Sequence, residues 1–259
     1  MALFLSGLPL WMTALVLVVL PTIAAMCGPA VMRRRVGLVA LTSNNEIAGF
    51  KFATVGVIYA VLLAFAVIVV WEKFSNAETA VVQEAGAAAT LYRLAAGPDS
   101  EAAATRAALS NYLKLAIERD WPLMAAATES RDVTQALNDL YAAAIRQMEN
   151  QSRRPQVFAE MLRQLDALTQ ARRSRLHLAM GIVPGLLWMV LYSGAVLTVG
   201  FTFFFGTKNL PAQVMMTGIL SVIVFMGLLV IVSINYPFTG PVYVGHEPLQ
   251  TVIEDFDRR

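Results

Sequence analysis

One cysteine and two histidines leave this chain little with which to do metal or redox chemistry. The lone Cys27 excludes an intramolecular disulfide and any multi-cysteine metal site. His177 and His246 stand far apart. Gly245-His246-Glu247 has the residue types of one arm of a metal site, but a second arm at zinc-type spacing is missing. A Gly-rich phosphate loop of the P-loop or Rossmann type is also missing, and no serine or cysteine has the local signature of a nucleophile. We therefore expect no enzyme, no catalytic residue, no metal and no cofactor.

Charge is the other shortage. Only 15% of the 259 residues are charged and 57% are hydrophobic, against about 25% and roughly 45–50% in soluble domains. The apolar excess is gathered into four uncharged blocks, Leu8–Met26, Phe52–Trp71, Ala179–Phe205 and Val214–Ile234. Crossing a hydrocarbon core of roughly 30 Å takes about 20 helical residues, and an ionised side chain at its centre costs a few kcal/mol. No Lys or Arg precedes Arg33, so the first block reads as an uncleaved helix rather than a signal peptide. Cys27 falls where that helix leaves the membrane.

Residues Glu72 to Leu178 differ in character, with thirteen acidic and thirteen basic residues and many strong helix formers. Gly97-Pro98-Asp99-Ser100 ends one helix, and Ser100 with Glu101 opens the next, which Trp121-Pro122 should break. A third helix starts at Ser130 or Asp132 and fades at Glu149 to Ser152. A fourth runs from near Pro155 into the third membrane block, with a bend at Pro184-Gly185. The fold expected is an all-α integral membrane protein: four transmembrane helices with a helical extramembrane bundle inserted between helices 2 and 3. Its parts are residues 1–71 (helices 1 and 2), 72–178 (bundle), 179–234 (helices 3 and 4) and 235–259 (extramembrane tail, ending in a short amphipathic helix).

The second block has an unusual entrance, TSNNEIAGFKF. Ser43 and Glu46 fit a capping box, which leaves Asn44 and Asn45 to face a pore mouth, a headgroup or another subunit. Small residues then recur at Gly49, Ala53, Gly56, Ala60 and Ala64 in one stripe. Such stripes let helix backbones approach closely in lipid, so this one either packs against the chain's own helices or faces an oligomer axis. Phe74, Ala77, Val81, Ala88, Leu91 and Ala95 continue an apolar seam with Glu84 upon it. A helix from Phe52 to Ala96 would be about 68 Å long, a stalk continuing out of the membrane.

The run NNEIAGFKFATVGVIYAVLLAFAVIVVWEKF, then EAGAAATLYRLA, LYSGAVLTVGFTFFFG and YPFTG, resembles the bacterial bestrophin-like family of unknown function, from Thr42 to Gly240. True bestrophins are homopentameric anion channels whose second membrane helix lines the neck and whose region between helices 2 and 3 is cytosolic. The resemblance implies a homo-oligomeric ion channel on the pentameric plan, passing small inorganic ions, anions above all, in a bacterial inner membrane. The acidic calcium clasp of animal bestrophins has no counterpart here.

On this reading Asn44, Asn45, Glu46 and Lys51 form the pore mouth, and Gly49, Ala53, Gly56 and Ala60 the lining. Glu46 there favours cations and Lys51 anions, so the residues alone leave selectivity open. Arg33, Arg34, Arg35, Arg172, Arg173 and Arg175 sit at membrane boundaries, where they contact lipid phosphates or concentrate anions in a vestibule. Membrane lipids are thus their expected partners, and no nucleic acid is. Basic residues near the spans number five on each side, Lys73, Arg163, Arg172, Arg173 and Arg175 against Arg33, Arg34, Arg35, Lys51 and Lys208. Charge leaves the chain unoriented, and the resemblance puts the bundle and both termini in the cytoplasm. The rival reading is a non-conducting scaffold or accessory subunit of a larger membrane complex.

Overall fold

The computed structural model describes residues 6–43, 45–97, 99–150, 155–181 and 183–258, and those residues contain helices and no strand. Ten helices are named here: α1 Leu10–Val36, α2 Leu38–Ser43, α3 Asn45–Leu94, α4 Ser100–Leu115, α5 Trp121–Met124, α6 Arg131–Asn150, α7 Pro155–Ala179, α8 Gly185–Phe201, α9 Leu210–Ile234 and α10 Glu247–Asp257. Four of them, α1, α3, α8 with the 3₁₀ turn that follows it, and α9, are long and apolar enough to cross a membrane. The chain divides into two compact units, residues 1–72 with 182–235 and residues 73–181 with 236–259.

In the first unit α9 packs along α1 and α8. Leu17 of α1 and Val232 of α9 are buried together, with Trp188, Tyr192 and Leu229 against them. Helix α1 runs past Cys27 through the three arginines to Val36. α3 presents Tyr59, Ala66 and Val70 to the interior. The Tyr59 hydroxyl donates to the Leu191 carbonyl at 3.1 Å.

The second unit is built on the other half of α3, α4 to α7, and the C-terminal segment with α10. The seam expected on α3 is buried throughout: Phe74, Ala77, Val81, Glu84, Ala88, Leu91 and Ala95. At 50 residues the helix is about 75 Å long. The C-terminal segment folds back onto this unit. Tyr92 stacks on Phe256 with ring centroids 3.7 Å apart, and the Trp121 indole N–H donates to the Val244 carbonyl at 3.2 Å.

Two expectations about breaks are corrected. Pro122 does not end its helix, because a π turn at Ala116–Asp120 precedes it and the helical path continues to Met124. The same device, a π turn at Leu15–Val19, stands before Pro21 in α1. A wider turn moves aside the carbonyl that a proline ring would strike and that its missing N–H could not satisfy. The helix from Pro155 does not bend into the membrane block; it stops at Ala179. Gly181 takes a left-handed φ of +81°, and Pro184 caps a new helix at Gly185.

A Cβ on Gly181 would strike the Tyr236 ring, and its φ disfavours any side chain. Gly181→Ala should therefore destabilise the protein by about 1–3 kcal/mol, seen as a lower thermal midpoint by circular dichroism in detergent. Gly185→Ala, with open space around its Cβ, should leave the midpoint unchanged.

Candidate functional site

The entrance to α3 is tied to the α8–α9 loop. Asn45 is half-buried, and its side-chain amide is committed at both ends: Nδ2 donates to the Gly206 carbonyl at 2.6 Å and Oδ1 accepts from the Gly206 N–H at 2.8 Å. Gly206 is required there, since a Cβ would meet the Thr42 nitrogen at 2.6 Å. The Gln213 amide donates to the Phe205 carbonyl, and Arg33 Nη1 reaches the Thr207 carbonyl at 3.4 Å. Asn45 therefore clamps a loop and is not a free polar group at a mouth.

Other entrance residues are placed as follows. Glu46 and Lys51 are exposed, and Asn44 lies outside the described residues. Ser43 ends α2 and donates its hydroxyl to Ala40 O at 2.9 Å, so the expected capping box with Glu46 is absent. Of the stripe, Ala53, Ala60 and Ala64 are exposed and Gly49 and Gly56 half-buried. Nothing stands within 4 Å of where a Gly56 Cβ would be, and Gly49 has only the Phe205 ring at 4.0 Å. Among the described residues nothing covers this face.

Beside it, between α3, the end of α8 and the start of α9, is a cleft of about 480 Å³ whose apolar lining includes Phe52, Phe205, Met216 and Leu220. Phe52 meets Phe205 edge-on with centroids 5.6 Å apart.

The arginine expectations divide. Arg34, Arg35 and Arg173 are exposed and Arg33 is half-buried. Arg172 and Arg175 do not face lipid or solvent; both are buried in the second unit and paired with carboxylates. Arg175 Nε donates to Glu84 Oε2 at 2.7 Å and its Nη2 to Glu84 Oε1 at 3.0 Å and to Asp120 Oδ2 at 3.4 Å. Arg172 donates to Asp120 Oδ2 at 3.0 Å and to Thr134 Oγ1 at 3.2 Å. Tyr112 donates its hydroxyl to Glu84 Oε1 at 2.6 Å, and the Arg175 guanidinium lies 4.5 Å from the Trp121 ring centroid.

Two cations and two anions make the cluster neutral, and helical periodicity explains how a basic run supplies it: positions 172 and 175 share a face while 173 points away. Burial pulls the Arg175 guanidinium down, but the charge and hydrogen bonds of Glu84 outweigh it and lift the group above its usual range. Burial, with the Glu84 charge behind it, pushes the Tyr112 phenol well above its ordinary value. Nothing in the sequence marked this cluster beyond one carboxylate, Glu84, set in an apolar seam. His246 packs edge-on to Trp121 at 5.9 Å with its Nδ1 buried and, among the described residues, without a hydrogen-bond partner, and His177 is exposed.

The profile of the Bestrophin-like domain matches residues 19–249. The chain belongs to the bestrophin-like family. Solved structures carry the same fold. A bacterial bestrophin homologue from Klebsiella pneumoniae is 16% identical, with a TM-score of 0.69 over 93% of this chain and 96% of that one. A point mutant of a bestrophin homologue from the same organism is 14% identical, with a TM-score of 0.69 over 92% and 97%. No curated protein matches this bestrophin-like chain.

Removing one partner of a buried pair leaves the other charge uncompensated, which costs about 3–5 kcal/mol, whereas replacing both is often close to neutral. Glu84→Ala should lower stability by that amount. Glu84→Gln combined with Arg175→Met, which keeps an acceptor for Tyr112, should recover most of it. Thermal unfolding of the single and double variants checks this; equal losses in both would show that the two groups are not coupled.

Proposed function

We propose that copies of this bestrophin-like chain assemble as a ring, on the pentameric plan of bestrophins, and conduct small anions across a bacterial inner membrane. α3 lines the path, and the termini and second unit are cytoplasmic. The observation that carries the reading is the uncovered face of α3. Glycine and alanine at 49, 53, 56 and 60 leave space that none of the described helices of the same chain fills, and small residues on a membrane helix admit the close approach of another helix or leave room around a water-filled path. Family membership and the shared fold support it.

At the end of the first unit where α3 begins, Arg33, Arg34, Arg35, Lys51 and Lys208 stand against the single carboxylate of Glu46. Cationic groups at an entrance favour anions. Glu46 and Lys51 remain the proposed mouth, with Asn45 as the group that fixes the mouth loop; Asn44, next to Asn45 in sequence, lies outside the described residues.

A second arrangement of the same channel is favoured by a different row. Ile58, Leu62, Phe65 and Val69 are also exposed on α3, and such a row facing the axis would form a hydrophobic constriction, which gates by dewetting. Cysteine crosslinking separates the two: Ala53→Cys and Ala60→Cys bridge neighbouring copies if the small face lines the axis, Ile58→Cys and Phe65→Cys if the large one does.

Conduction itself is tested in liposomes. Purified protein should pass chloride well above an empty control, and Ala60→Trp should reduce that flux at least tenfold while the protein still assembles. A folded, oligomeric sample with no flux would leave the scaffold reading in its place.

A further inference from the structure

We infer that the cleft between α3, α8 and α9 seats an acyl chain of an acidic phospholipid, whose phosphate is held by the arginines at the end of α1.

The cleft's own chemistry selects an apolar occupant. Each polar side chain along it is already engaged: Asn45 with Gly206, Gln213 with the Phe205 carbonyl, and Thr202 with the Val199 carbonyl at 2.6 Å. The Thr217 hydroxyl lies 3.4 Å from that of Thr202, and Thr207 Oγ1 accepts from the Asn209 N–H at 3.3 Å. A polar ligand entering here would lose its hydration and find few free partners, which is unfavourable. An alkyl chain loses nothing and gains dispersion contacts with Phe52, Phe205, Met216 and Leu220. The cleft belongs to the unit whose helices cross the membrane, where acyl chains are the abundant apolar solute.

The surroundings select the headgroup. Arg33 is hydrogen-bonded to the carbonyl of Thr207, a lining residue, with Arg34 and Arg35 beside it in sequence. Lys208 follows Thr207 and Lys51 precedes Phe52. Against these five cations the first unit has two carboxylates among its described residues, Glu46 and Glu72. Glu72 lies 27 residues along α3 from Asn45, about 40 Å away. An apolar slot with a cationic rim fits a lipid with net negative charge better than a zwitterionic one. Each Lys or Arg close to an anionic membrane surface strengthens attraction about fivefold.

Native mass spectrometry of the intact full-length protein, after incubation with phosphatidylglycerol or phosphatidylcholine of the same chain composition, tests this. Phosphatidylglycerol should be retained at least about fivefold more than phosphatidylcholine. Replacing Arg33, Arg34 and Arg35 by Gln should abolish that preference. Met216→Trp, a change at an exposed lining position that fills the slot, should reduce retention of both lipids. Equal retention of the two lipids by the unaltered protein would overturn the proposal, as would undiminished retention by Met216→Trp. Disulfide bridging of Met216→Cys to a neighbouring copy would also overturn it, by making a second chain the occupant. None of these outcomes depends on conduction, so the channel reading stands or falls separately.

Discussion

A transmembrane helix buried along only one narrow strip, at Tyr59, Ala66 and Val70, sets the terms for the rest of the first unit. In lipid there is no hydrophobic force between helices, so α3 is held by packing and by hydrogen bonds alone. Tyr59 bonded to Leu191 and Asn45 bonded to Gly206 fix its rotation from one side. With that side fixed, Ala53, Gly56 and Ala60 are turned away from α8 and α9. Among the described residues a single chain leaves this face uncovered, open to lipid or to the close approach of another helix.

The second unit solves a different problem. Burying four charges together is costly in desolvation, and such clusters rarely add net stability over an apolar core. They do penalise misplacement strongly. Glu84 on α3, Asp120 in the π turn before α5, and Arg172 and Arg175 on α7 satisfy one another only in one register. The cluster thus specifies how α3, α7 and the π turn meet. Trp121 closes it, stacking over Arg175 while its indole N–H fixes the C-terminal segment at Val244.

Much of this was legible from residues and some was not. The four apolar blocks announced their helices because hydrocarbon tolerates little else, and the seam from Phe74 to Ala95 announced the continuation of α3. The small stripe was visible as a stripe, but only coordinates tell which of its neighbours the chain covers. Prolines misled, since Pro122 follows a π turn that accommodates it, and periodicity does not reveal an extra residue in a turn. The arginine run misled too. Composition treats 172, 173 and 175 alike, whereas the helix buries two of them against carboxylates more than fifty residues away in the chain and exposes the third. Asn45 was legible as a polar entrance residue but not as a clamp, because its partner is a backbone in a loop distant in sequence.

Imaging of the purified complex by single-particle electron microscopy bears most directly on the bare face of α3. The account predicts a closed ring of identical chains with α3 nearest the symmetry axis and the Gly49-to-Ala60 face at a subunit boundary or on the axis. Monomers, or a ring in which α3 lies on the outer, lipid-facing wall, would contradict it.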